Sequence, residues 1–431
     1  MNRFIEASNF CDLITDGTHN SPKKSEDGIL LVTSKNIINS KLDLSKAYYI
    51  SENDAQEINR RSKVDKFDIL ISMIGTVGEV CLIEEEPNFV VKNVGILKNK
   101  EKYKAKWLYF YLKSNFAKNI IRERLKGTTQ QYLSLGELRK LPILTPIDKN
   151  HLISTINILD SLEKKIELNT QTNQTLEQIA KGIFKHWFID FAPVHAKANA
   201  LARGETIEQA ELAAMACLSG KTVDKITALK AQDPTAYQQL QQTAAAFPSE
   251  FVETEMGQVP KGWEWLKIEN IISRLKNKQK INKNNISDIG NIPVFEQGQN
   301  ILMGYHSDNP AFIATPQDPI FIFGDHTCMT HISTKPFSIY QNVIPIKGKD
   351  IPTLWVYLAV KDKQKFQEYR RHWMEFIIKE ICLPNRDLIE HFVELVTHLF
   401  EKKDAIYEQN KILRKVRDEL LPKLLSGEIE L

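Results

Sequence analysis

The aromatic stretch Lys106-Trp107-Leu108-Tyr109-Phe110-Tyr111-Leu112 has a shorter counterpart later in the chain, Leu354-Trp355-Val356-Tyr357-Leu358. Trp355 follows Trp107 by 248 residues. Further pairs match in the same order: Asn93-Val94 with Asn342-Val343, the strand-like Ile69–Met73 with Ile320–Phe323, and Leu141-Pro142 with Leu383-Pro384. Because the order is common to both halves, the matches predict a diverged internal repeat longer than half the chain.

A long helical pattern ends each half of the chain. Its apolar positions step by threes and fours, at Leu152, Ile156, Leu159, Leu162, Ile166, Leu176, Ile179 and Ile183, and again at Ile389, Val393, Val396, Leu399, Ile406, Leu413, Val416, Leu420 and Leu424. This spacing predicts an apolar seam along one face of each helix. Glycine and proline occur only near the ends (Gly182 and Pro422), so each helix can run for about 40 residues.

Asn173 and Asn410 fall in phase with these seams. A buried asparagine in a seam lowers stability but can fix the register of paired helices. A solvent-facing asparagine is the equally weighted alternative.

The sequence between the halves, rich in alanine and glutamine, predicts an inserted helical connector. Pro193, Gly204, Gly220 and Pro234 divide it into short helices, and Trp263 is expected to anchor the start of the next domain in its core. The predicted fold class is α+β, with these segments: mixed strand and helix at 1–148 and 257–386, long helices at 149–190 and 387–431, and the connector at 191–256.

Composition excludes several classes of protein. The five cysteines are odd in number and form no CxxC pair, which favours a reducing cytoplasm over a disulfide framework. No apolar run reaches the roughly 18 residues that a membrane span needs. The net charge of +3 among 431 residues neither supports nor excludes a nucleic-acid partner, since a binding surface can be local.

Catalytic and metal-binding motifs are not found. The sequence has no Walker A or G-x-G-x-x-G motif and no Pro-Pro pair, which argues against a self-sufficient methyltransferase or translocase. His326, Cys328 and His331 lack the second cluster of a structural zinc site, so a hairpin with polar tips is favoured. Glu163 and Lys165 lie on the long helix and predict a solvated helix face rather than a nuclease site. We therefore expect no catalytic residue and no metal.

Local polar and basic clusters are the candidate DNA contacts, because lysine and arginine neutralise phosphates while asparagine and glutamine can read adenine edges. The first half contributes Lys23, Lys24, Lys35, Asn36, Lys126, Thr128, Thr129, Gln130 and Gln131, and the second half Arg274, Lys276, Asn277, Lys278, Lys280, Arg370 and Arg371. Solvated loops are the competing interpretation. The stretch from Gly127 could equally be a polar loop leading into a helix capped by Ser134 and Glu137.

The whole pattern resembles the specificity subunit of type I restriction–modification systems. The resemblance rests on the repeat, on the two long helices, and on these motifs: Asp16-Gly17-Thr18-His19, Gly127-Thr128-Thr129-Gln130 before Leu141-Pro142, Phe188–Lys197, and Val259-Pro260-Lys261-Gly262-Trp263. The second half lacks the Gly-Thr-Thr-Gln stretch and has His372-Trp373-Met374 nearby, so its DNA contacts are expected to differ.

The resemblance implies two α/β target-recognition domains, each reading one half of a split DNA site, joined by two antiparallel, coiled-coil-like spacer helices. It also implies two modification subunits and restriction subunits as partners. S-adenosylmethionine, ATP and Mg²⁺ would then bind those partners and not this chain. A scaffold without sequence preference, or an enzyme with an unrecognised site, are the alternatives.

Overall fold

The computed structural model describes residues 3–279, 281–287, 290–298, 300–368 and 370–429. The chain forms two compact units, which we call unit 1 (Met1–Asn169 with Gln409–Leu431) and unit 2 (Thr170–Glu408). Each unit therefore contains one part of each long helix.

The chain up to the first long helix forms short strands and helices. In chain order they are β1 (Phe4–Glu6), α1 (Ala7–Phe10), β2 (Leu13–Asp16), β3 (Ile29–Thr33), β4 (Ile37–Ile38), β5 (Lys41–Leu42), β6 (Tyr48–Ile50), α2 (Glu52–Ser62), β7 (Ile69–Ser72), β8 (Val80–Leu82), β9 (Phe89–Lys92), β10 (Val94–Lys98), α3 (Lys102–Lys113), α4 (Asn115–Glu123), α5 (Leu135–Arg139) and β11 (Pro142–Leu144).

The remainder begins with the first long helix and ends with the second. Its elements are α6 (Lys149–Phe188), α7 (Ala192–Ala202), α8 (Ile207–Ser219), α9 (Val223–Gln232), α10 (Pro234–Ala246), β12 (Phe251–Thr254), β13 (Gly257–Pro260), β14 (Glu264–Lys267), α11 (Ile268–Ile271), β15 (Ile272–Arg274), β16 (Ile292–Phe295), β17 (Leu302–His306), β18 (Ile320–Gly324), β19 (Thr330–Ser333), β20 (Ser338–Ile339), β21 (Val343–Gly348), α12 (Thr353–Val360), α13 (Trp373–Ile377), β22 (Glu380–Leu383) and α14 (Arg386–Ser426).

The two units share one sheet topology. In unit 1 an antiparallel sheet has the strand order β2-β10-β7-β8, and a second sheet, β6-β3-β9, pairs β3 with β9 in parallel. In unit 2 the corresponding sheets are β15-β21-β18-β19 and β17-β16-β20, with β16 and β20 parallel. The pairs β1-β11 and β14-β22 are also equivalent. The predicted repeat is therefore confirmed at the level of topology.

One part of the predicted alignment is wrong by four residues. The backbone N–H of Ala7 donates to the carbonyl of Leu141, whereas that of Ile268, at the start of the equivalent helix, donates to Lys379. The counterpart of Leu141 is thus Lys379 and not Leu383. The Leu-Pro sequence coincided by chance, because strand register depends on backbone pairing and not on one dipeptide.

The two aromatic stretches form the helices α3 and α12, which pack in the cores of their units. Trp107 and Trp355 are both completely buried. Nε1 of Trp107 donates to the carbonyl of Leu144 at 2.7 Å, while Nε1 of Trp355 has no hydrogen-bond partner within the described part of the chain. The tryptophans therefore provide the same apolar bulk in both cores, but only one of them ties its helix to a strand.

The long helices run 40 and 41 residues, as expected from their sequence. In unit 1 the first part of α6 packs antiparallel to the end of α14, and Ile156, Leu159 and Ile166 of the predicted seam are buried. In unit 2, Leu176 is buried as well. Ile389, Val396 and Leu424 of the second predicted seam are buried too. These seam positions are half-buried: Leu152, Leu162, Asn173, Ile183, Val393, Leu399, Ile406, Leu413 and Leu420.

Two predicted seam positions are wrong. Ile179 is 44% and Val416 is 36% exposed. A straight helix drifts relative to a strict heptad, so a stripe extrapolated over a long helix leaves the contact face.

Of the two alternatives for the seam asparagines, buried or facing solvent, Asn410 is buried. In unit 1 it is 6% exposed, and its Oδ1 accepts a hydrogen bond of 2.9 Å from Nδ2 of Asn169, which is also buried. Nδ2 of Asn410 donates to the carbonyl of Ile166 at 3.2 Å. Asn173, in unit 2, has a buried Oδ1 that meets no donor in the described residues.

The connector folds as the four helices α7 to α10 of unit 2, in agreement with its predicted breaks. Its predicted range, 191–256, is too long, because the helices end at Ala246 and β12 already pairs with β13. Gly204 and Gly220 adopt positive φ angles at the ends of α7 and α8, and Pro234 begins α10. Trp263 is 5% exposed and packs on Phe188, which confirms its role as a core anchor. Among the described residues no helix combines the length and the apolar character needed to cross a bilayer.

Candidate nucleic-acid interface

Polar loops converge at one end of the antiparallel sheet of unit 1. The pairs Asp16–Gly95, Val94–Ser72 and Ile71–Val80 show that β2 and β7 end where β10 and β8 begin. We call this end, with the loops that pair with it, the first loop end: residues 16–24, 73–79, 92–93 and 126–132. It is built mainly from the connections between strands, where exposed side chains can serve a ligand while the sheet holds the loops in place.

The stretch Gly127–Gln131 is a pinched loop of the first loop end. Lys126 and Tyr132 exchange two backbone hydrogen bonds of 2.9 Å, and the N–H of Leu133 donates to the carbonyl of Met73. Gly127 has φ +92°, and a Cβ on it would lie 2.4 Å from the carbonyl oxygen of Gln130. Only glycine accommodates both the angle and this approach.

The pinch projects a row of hydroxyl and amide side chains into solvent. These are the predicted contacts Thr128, Thr129, Gln130 and Gln131, all of them exposed. Ser134 caps the next helix by accepting from the N–H of Glu137 at 3.3 Å. The capping interpretation is thus correct for Ser134. The four loop side chains take no part in this helix cap.

A charged cluster stabilises the neighbouring loop of the first loop end. Asp16 is 6% exposed, and its carboxylate contacts the Arg61 guanidinium at 2.6 Å and Nε2 of His19 at 3.0 Å. Nδ1 of His19 lies 2.8 Å from Oδ1 of Asn93, which adopts φ +54°. Asp16 and His19 belong to the Asp-Gly-Thr-His motif, and the cluster holds the chain that leads to Lys23.

All four predicted lysines of the first half are exposed around the same end, and Lys126 forms an ion pair with Glu137 at 3.1 Å. The last residue of β3, Thr33, pairs with Lys92 of β9, and Lys35 follows in the next turn. Lys24 lies over the ring of Tyr48 at 5.1 Å, while Lys23 is exposed. These ammonium groups are exposed, as a phosphate contact requires.

Asn36 differs from expectation. It is 3% exposed, its Oδ1 accepts the N–H of Thr33 at 2.9 Å, and its Nδ2 donates to the carbonyl of Asp43 at 2.9 Å. Its amide is therefore satisfied inside the protein, since a buried polar group needs such partners. Asn36 supports the turn that carries Lys35 and is not itself presented to a ligand.

The equivalent end of the unit 2 sheet is built differently. We call it the second loop end: residues 274–279, 325–329, 341–342 and 370–372. The carboxylate of Asp325 accepts the N–H groups of His372 and Trp373 at 3.2 and 3.0 Å, and the N–H of Asp325 donates to the carbonyl of Asn342. Through its carboxylate and its backbone N–H, the half-buried Asp325 thus connects three loops of the second loop end.

The two arginines of the second loop end have different environments. Arg370 is tied to the carboxylates of Glu368 and Glu375, and these ion pairs raise its pKa, the hydrogen bond to Glu375 being the main cause. The side chain of Arg371 is 81% exposed, with Nε 3.8 Å from Asp325. Arg371 is therefore the arginine that a polyanion can reach without breaking a close ion pair.

The predicted basic run after β15 is exposed over Arg274, Lys276, Asn277 and Lys278. The Arg274 guanidinium lies 5.7 Å from the ring of Trp373, so it is held at the second loop end by a cation–π contact. Lys280 lies outside the described residues. The run presents cations with one amide among them, in contrast to the hydroxyl and amide loop of unit 1.

The sequence did not single out the residues that hold these loops together. Asn93 and Asn342 were recognised only as repeat markers, yet both precede a strand with positive φ, at +54° and +59°. Asparagine tolerates this conformation better than most residues. An asparagine repeated at equivalent positions was the available signal, whereas no signal marked Asp325.

The hairpin interpretation of His326, Cys328 and His331 is confirmed. β18 and β19 pair antiparallel with His331 opposite Ile322, and Cys328 lies in the connecting turn with φ +57°. Burial lowers the pKa of His331 to about 4. No group of three metal-ligating side chains occurs among the residues described. The predicted solvated helix face holds for Lys165, which is exposed. It is wrong for Glu163, which is half-buried and forms ion pairs with Lys113 and Arg417.

The fold and its loops define a repeat protein with two unlike polar surfaces. Its similarity to known proteins identifies its family. A family model of the type I restriction modification DNA specificity domain matches residues 6–178. The Type I restriction enzyme HindI specificity subunit of Haemophilus influenzae is 33% identical over 405 residues, which cover 86% of this chain and 88% of that protein. The chain belongs to the family of type I restriction enzyme specificity subunits.

More distant relatives extend the comparison. The Type I restriction enzyme MjaIX specificity subunit of Methanocaldococcus jannaschii is 22% identical over 358 residues, covering 75% of this chain and 69% of that protein. Among solved structures, the S subunit from M. genitalium covers 98% of this chain and 96% of its own at 15% identity and a TM-score of 0.48. The HsdS subunit from Thermoanaerobacter tengcongensis covers 99% and 97% at 10% identity and a TM-score of 0.31.

Proposed function

We propose that this chain reads DNA sequence for a type I restriction–modification complex, and that each loop end contacts one half of a split target. The observation that carries the proposal is the repeated sheet topology with unlike loops at the same end. Two readers built on one scaffold but carrying different side chains suit a target whose halves differ. A scaffold without sequence preference has no need of two such differentiated surfaces.

In the first loop end, Gln130 and Gln131 can pair with adenine edges, since a carboxamide offers both a donor and an acceptor. Thr128 and Thr129 can contact bases or phosphates, and the exposed lysines contact phosphates. In the second loop end, Arg371 and Lys276 supply most of the attraction, with Asn277 as the candidate base contact. This division assigns specificity mainly to amides and affinity mainly to cations.

The long helices act as the spacer between the two readings. Part of each helix is packed into each unit, so the length of α6 and α14 limits the separation that the target can have. Removing one turn shortens a helix by about 5.4 Å. Removing a matched turn from both helices, near residues 169 and 409, is expected to shorten the preferred spacer by about one or two base pairs of 3.4 Å.

The chain supplies no catalysis in this proposal. Two modification subunits would bind S-adenosylmethionine and methylate adenine, while restriction subunits would use ATP and Mg²⁺ to translocate and cut. The cytoplasm is the compartment where such a complex meets cellular DNA, and the cysteine usage of the chain suits it.

The test is co-expression of the full chain with its modification subunit, followed by mapping of methylated adenines across the host genome. The chain with Thr129→Ala/Gln130→Ala is expected to relax base preference in one half of the target only, by about 1–3 kcal/mol for each lost base contact. Thr235→Ala/Gln238→Ala on α10 is a matched control, because both residues are exposed and lie outside the loop ends.

Two results would contradict the proposal. An unchanged target in the loop variant would remove the loop from the interface. Binding of the complex to all duplexes alike, without site preference, would favour the scaffold. The logarithm of the binding constant should also fall linearly with the logarithm of the salt concentration, because phosphate contacts release counterions.

A further inference from the structure

An ion triad connects α3 to both long helices in unit 1. Nζ of Lys113 lies 2.7 Å from Oε1 of Glu163 on α6, and Nη1 of Arg417 on α14 lies 2.9 Å from the same oxygen. The three side chains are 16%, 26% and 18% exposed. One carboxylate is thus shared by two cations in a partly desolvated setting.

A second triad occupies the corresponding region of unit 2. Nζ of Lys361, directly after α12, lies 2.7 Å from Oε1 of Glu177 on α6, and Nζ of Lys403 on α14 lies 2.8 Å from Oε2. These side chains are 14%, 26% and 28% exposed. Burial alone would raise the pKa of Glu177, but Lys403 and Lys361 outweigh it and lower the pKa to about 2.

Lys113 and Lys361, the triad lysines that do not lie on the long helices, occupy equivalent positions in the repeat. Lys361 follows Lys113 by 248 residues. Nζ of Lys113 lies 4.8 Å from the ring of Tyr109, and Nζ of Lys361 lies 5.0 Å from that of Tyr357. The other triad members, on the long helices, are not related to each other by the repeat.

A strict repeat would place one carboxylate on each long helix. Instead, both carboxylates, Glu163 and Glu177, lie on α6, and both of their helical partners, Arg417 and Lys403, lie on α14. At the triad positions, the charges on the two helices are therefore complementary to each other, and neither helix is complementary to itself.

We propose that the two triads select the pairing partner of each long helix, so that α6 pairs with α14 of the same chain and not with α6 of a second copy. The repeat makes this selection necessary, since related halves present related seams, and partner choice in paired helices is commonly set by flanking charges. The proposal does not depend on the DNA-reading function.

The charges oppose both self-pairings. By the 237-residue offset that relates Asn173 to Asn410, the position of α6 equivalent to Arg417 is Ala180. An antiparallel pair of two α6 helices would therefore bring Glu163 of one copy within about one turn of Glu177 of the other. By the same offset, a pair of two α14 helices would bring Arg417 near Lys403. Like charges at such a partly buried seam disfavour the wrong pair.

The test inverts one triad in the full chain. Glu177→Lys/Lys403→Glu keeps the net charge of the unit 2 triad, but at the triad positions each long helix then carries both signs and becomes complementary to itself. Tagged and untagged copies are co-expressed, and the untagged copy recovered with the tagged one is measured. We expect at least fivefold more recovery than for the unsubstituted chain, decreasing with added salt. Glu163→Lys/Arg417→Glu, which inverts the other triad, should behave in the same way.

Two controls make the outcome decisive. The quadruple variant Glu163→Lys/Glu177→Lys/Lys403→Glu/Arg417→Glu again gives the triad positions of each helix charges of one sign, so recovery should return to the unsubstituted level. Glu177→Gln/Lys403→Gln removes the charges without inverting them and should give less than half the recovery of the inverted variant. Equal recovery for the inverted and unsubstituted chains would overturn the proposal. It would also be overturned if the quadruple or the neutral variant associated as strongly as the inverted one.

Discussion

The two loop ends share a scaffold and differ in almost everything that extends from it. The first is stabilised by a backbone pinch at Gly127 and presents hydroxyl and amide groups. The second is joined by the carboxylate of Asp325 and presents cations such as Arg371. The comparison teaches that the sheet sets where the loops emerge, while each loop needs its own device to hold its shape.

The largest expected effect comes from breaking the pinch of the first loop end. In Gly127→Ala the new Cβ would lie 2.4 Å from a backbone oxygen at φ +92°, so the loop must change its path. Because the loop carries more than one candidate base contact, we expect base preference in one half of the target to fall about a hundredfold, or about 2.7 kcal/mol, as measured by methylation mapping. Gly182→Ala is the control, because nothing lies within 4 Å of that position on α6. Equal effects of the two substitutions would show that the pinch is not needed.

A smaller effect is expected from the unit 2 triad, measured as stability against pH. The folded-state pKa of Glu177, about 2, lies below its ordinary value of 4.5, so the carboxylate stabilises the fold above about pH 5 and loses this contribution as the pH falls toward 2. Glu177→Gln should cost about 2 kcal/mol at pH 7, and the gap to the unsubstituted chain should close on acidification.

Glu57→Gln provides the comparison for that measurement. Its ion pair with Arg60 is exposed, at 64% and 75%, and pairs of this kind contribute little. Its unfolding free energy should remain close to that of the unsubstituted chain at every pH. A pH-independent loss for Glu177→Gln would mean that packing, and not charge, explains the triad.

The paired tryptophans sharpen the comparison of the two cores. Trp107→Phe and Trp355→Phe remove similar buried area, but only the first leaves a carbonyl, that of Leu144, without its hydrogen bond. We expect Trp107→Phe to be more destabilising by about 1 kcal/mol, measured by chemical denaturation. Equal losses of unfolding free energy in the two variants would mean that both tryptophans stabilise the protein by packing alone.

The smallest effect is expected at the asparagines with positive φ. Asn93→Ala and Asn342→Ala each place a less tolerant residue in the left-handed region. Each substitution should lower the free energy of unfolding by up to about 1 kcal/mol. Asn93 also contacts His19 at 2.8 Å, so its substitution should additionally alter reading by the first loop end. A loss at only one of the two positions would indicate that the repeat does not extend to these turns.

Much of the fold could be predicted because it depends on patterns that repetition made visible. The stretches around Trp107 and Trp355 identified equivalent helices, and glycine and proline marked the ends of the connector helices. The register could not be predicted in the same way, and Leu141 was paired with Leu383 where backbone bonding pairs it with Lys379. A short motif fixes composition, while register depends on the partner strand.

The candidate interface was predicted only in part. The exposed row at Thr128 to Gln131 and the cations after β15 could be recognised because charges and amides in loops are conspicuous. Asn36 was misjudged, since its type suggests a ligand contact and its surroundings satisfy it internally. Asp325 was missed, because a single aspartate gives no sign in sequence of the three loops that its carboxylate and backbone N–H connect.

The sequence by itself determined the repeat, the two long helices and the absence of familiar catalytic motifs, because these follow from local periodicity and residue type. Only the tertiary structure decided which residues meet across long separations, such as Glu163 with Arg417 and Asn169 with Asn410. The physical reason is that helix formation depends on neighbours in the chain, whereas the partner of a buried charge or amide is set by packing between distant segments.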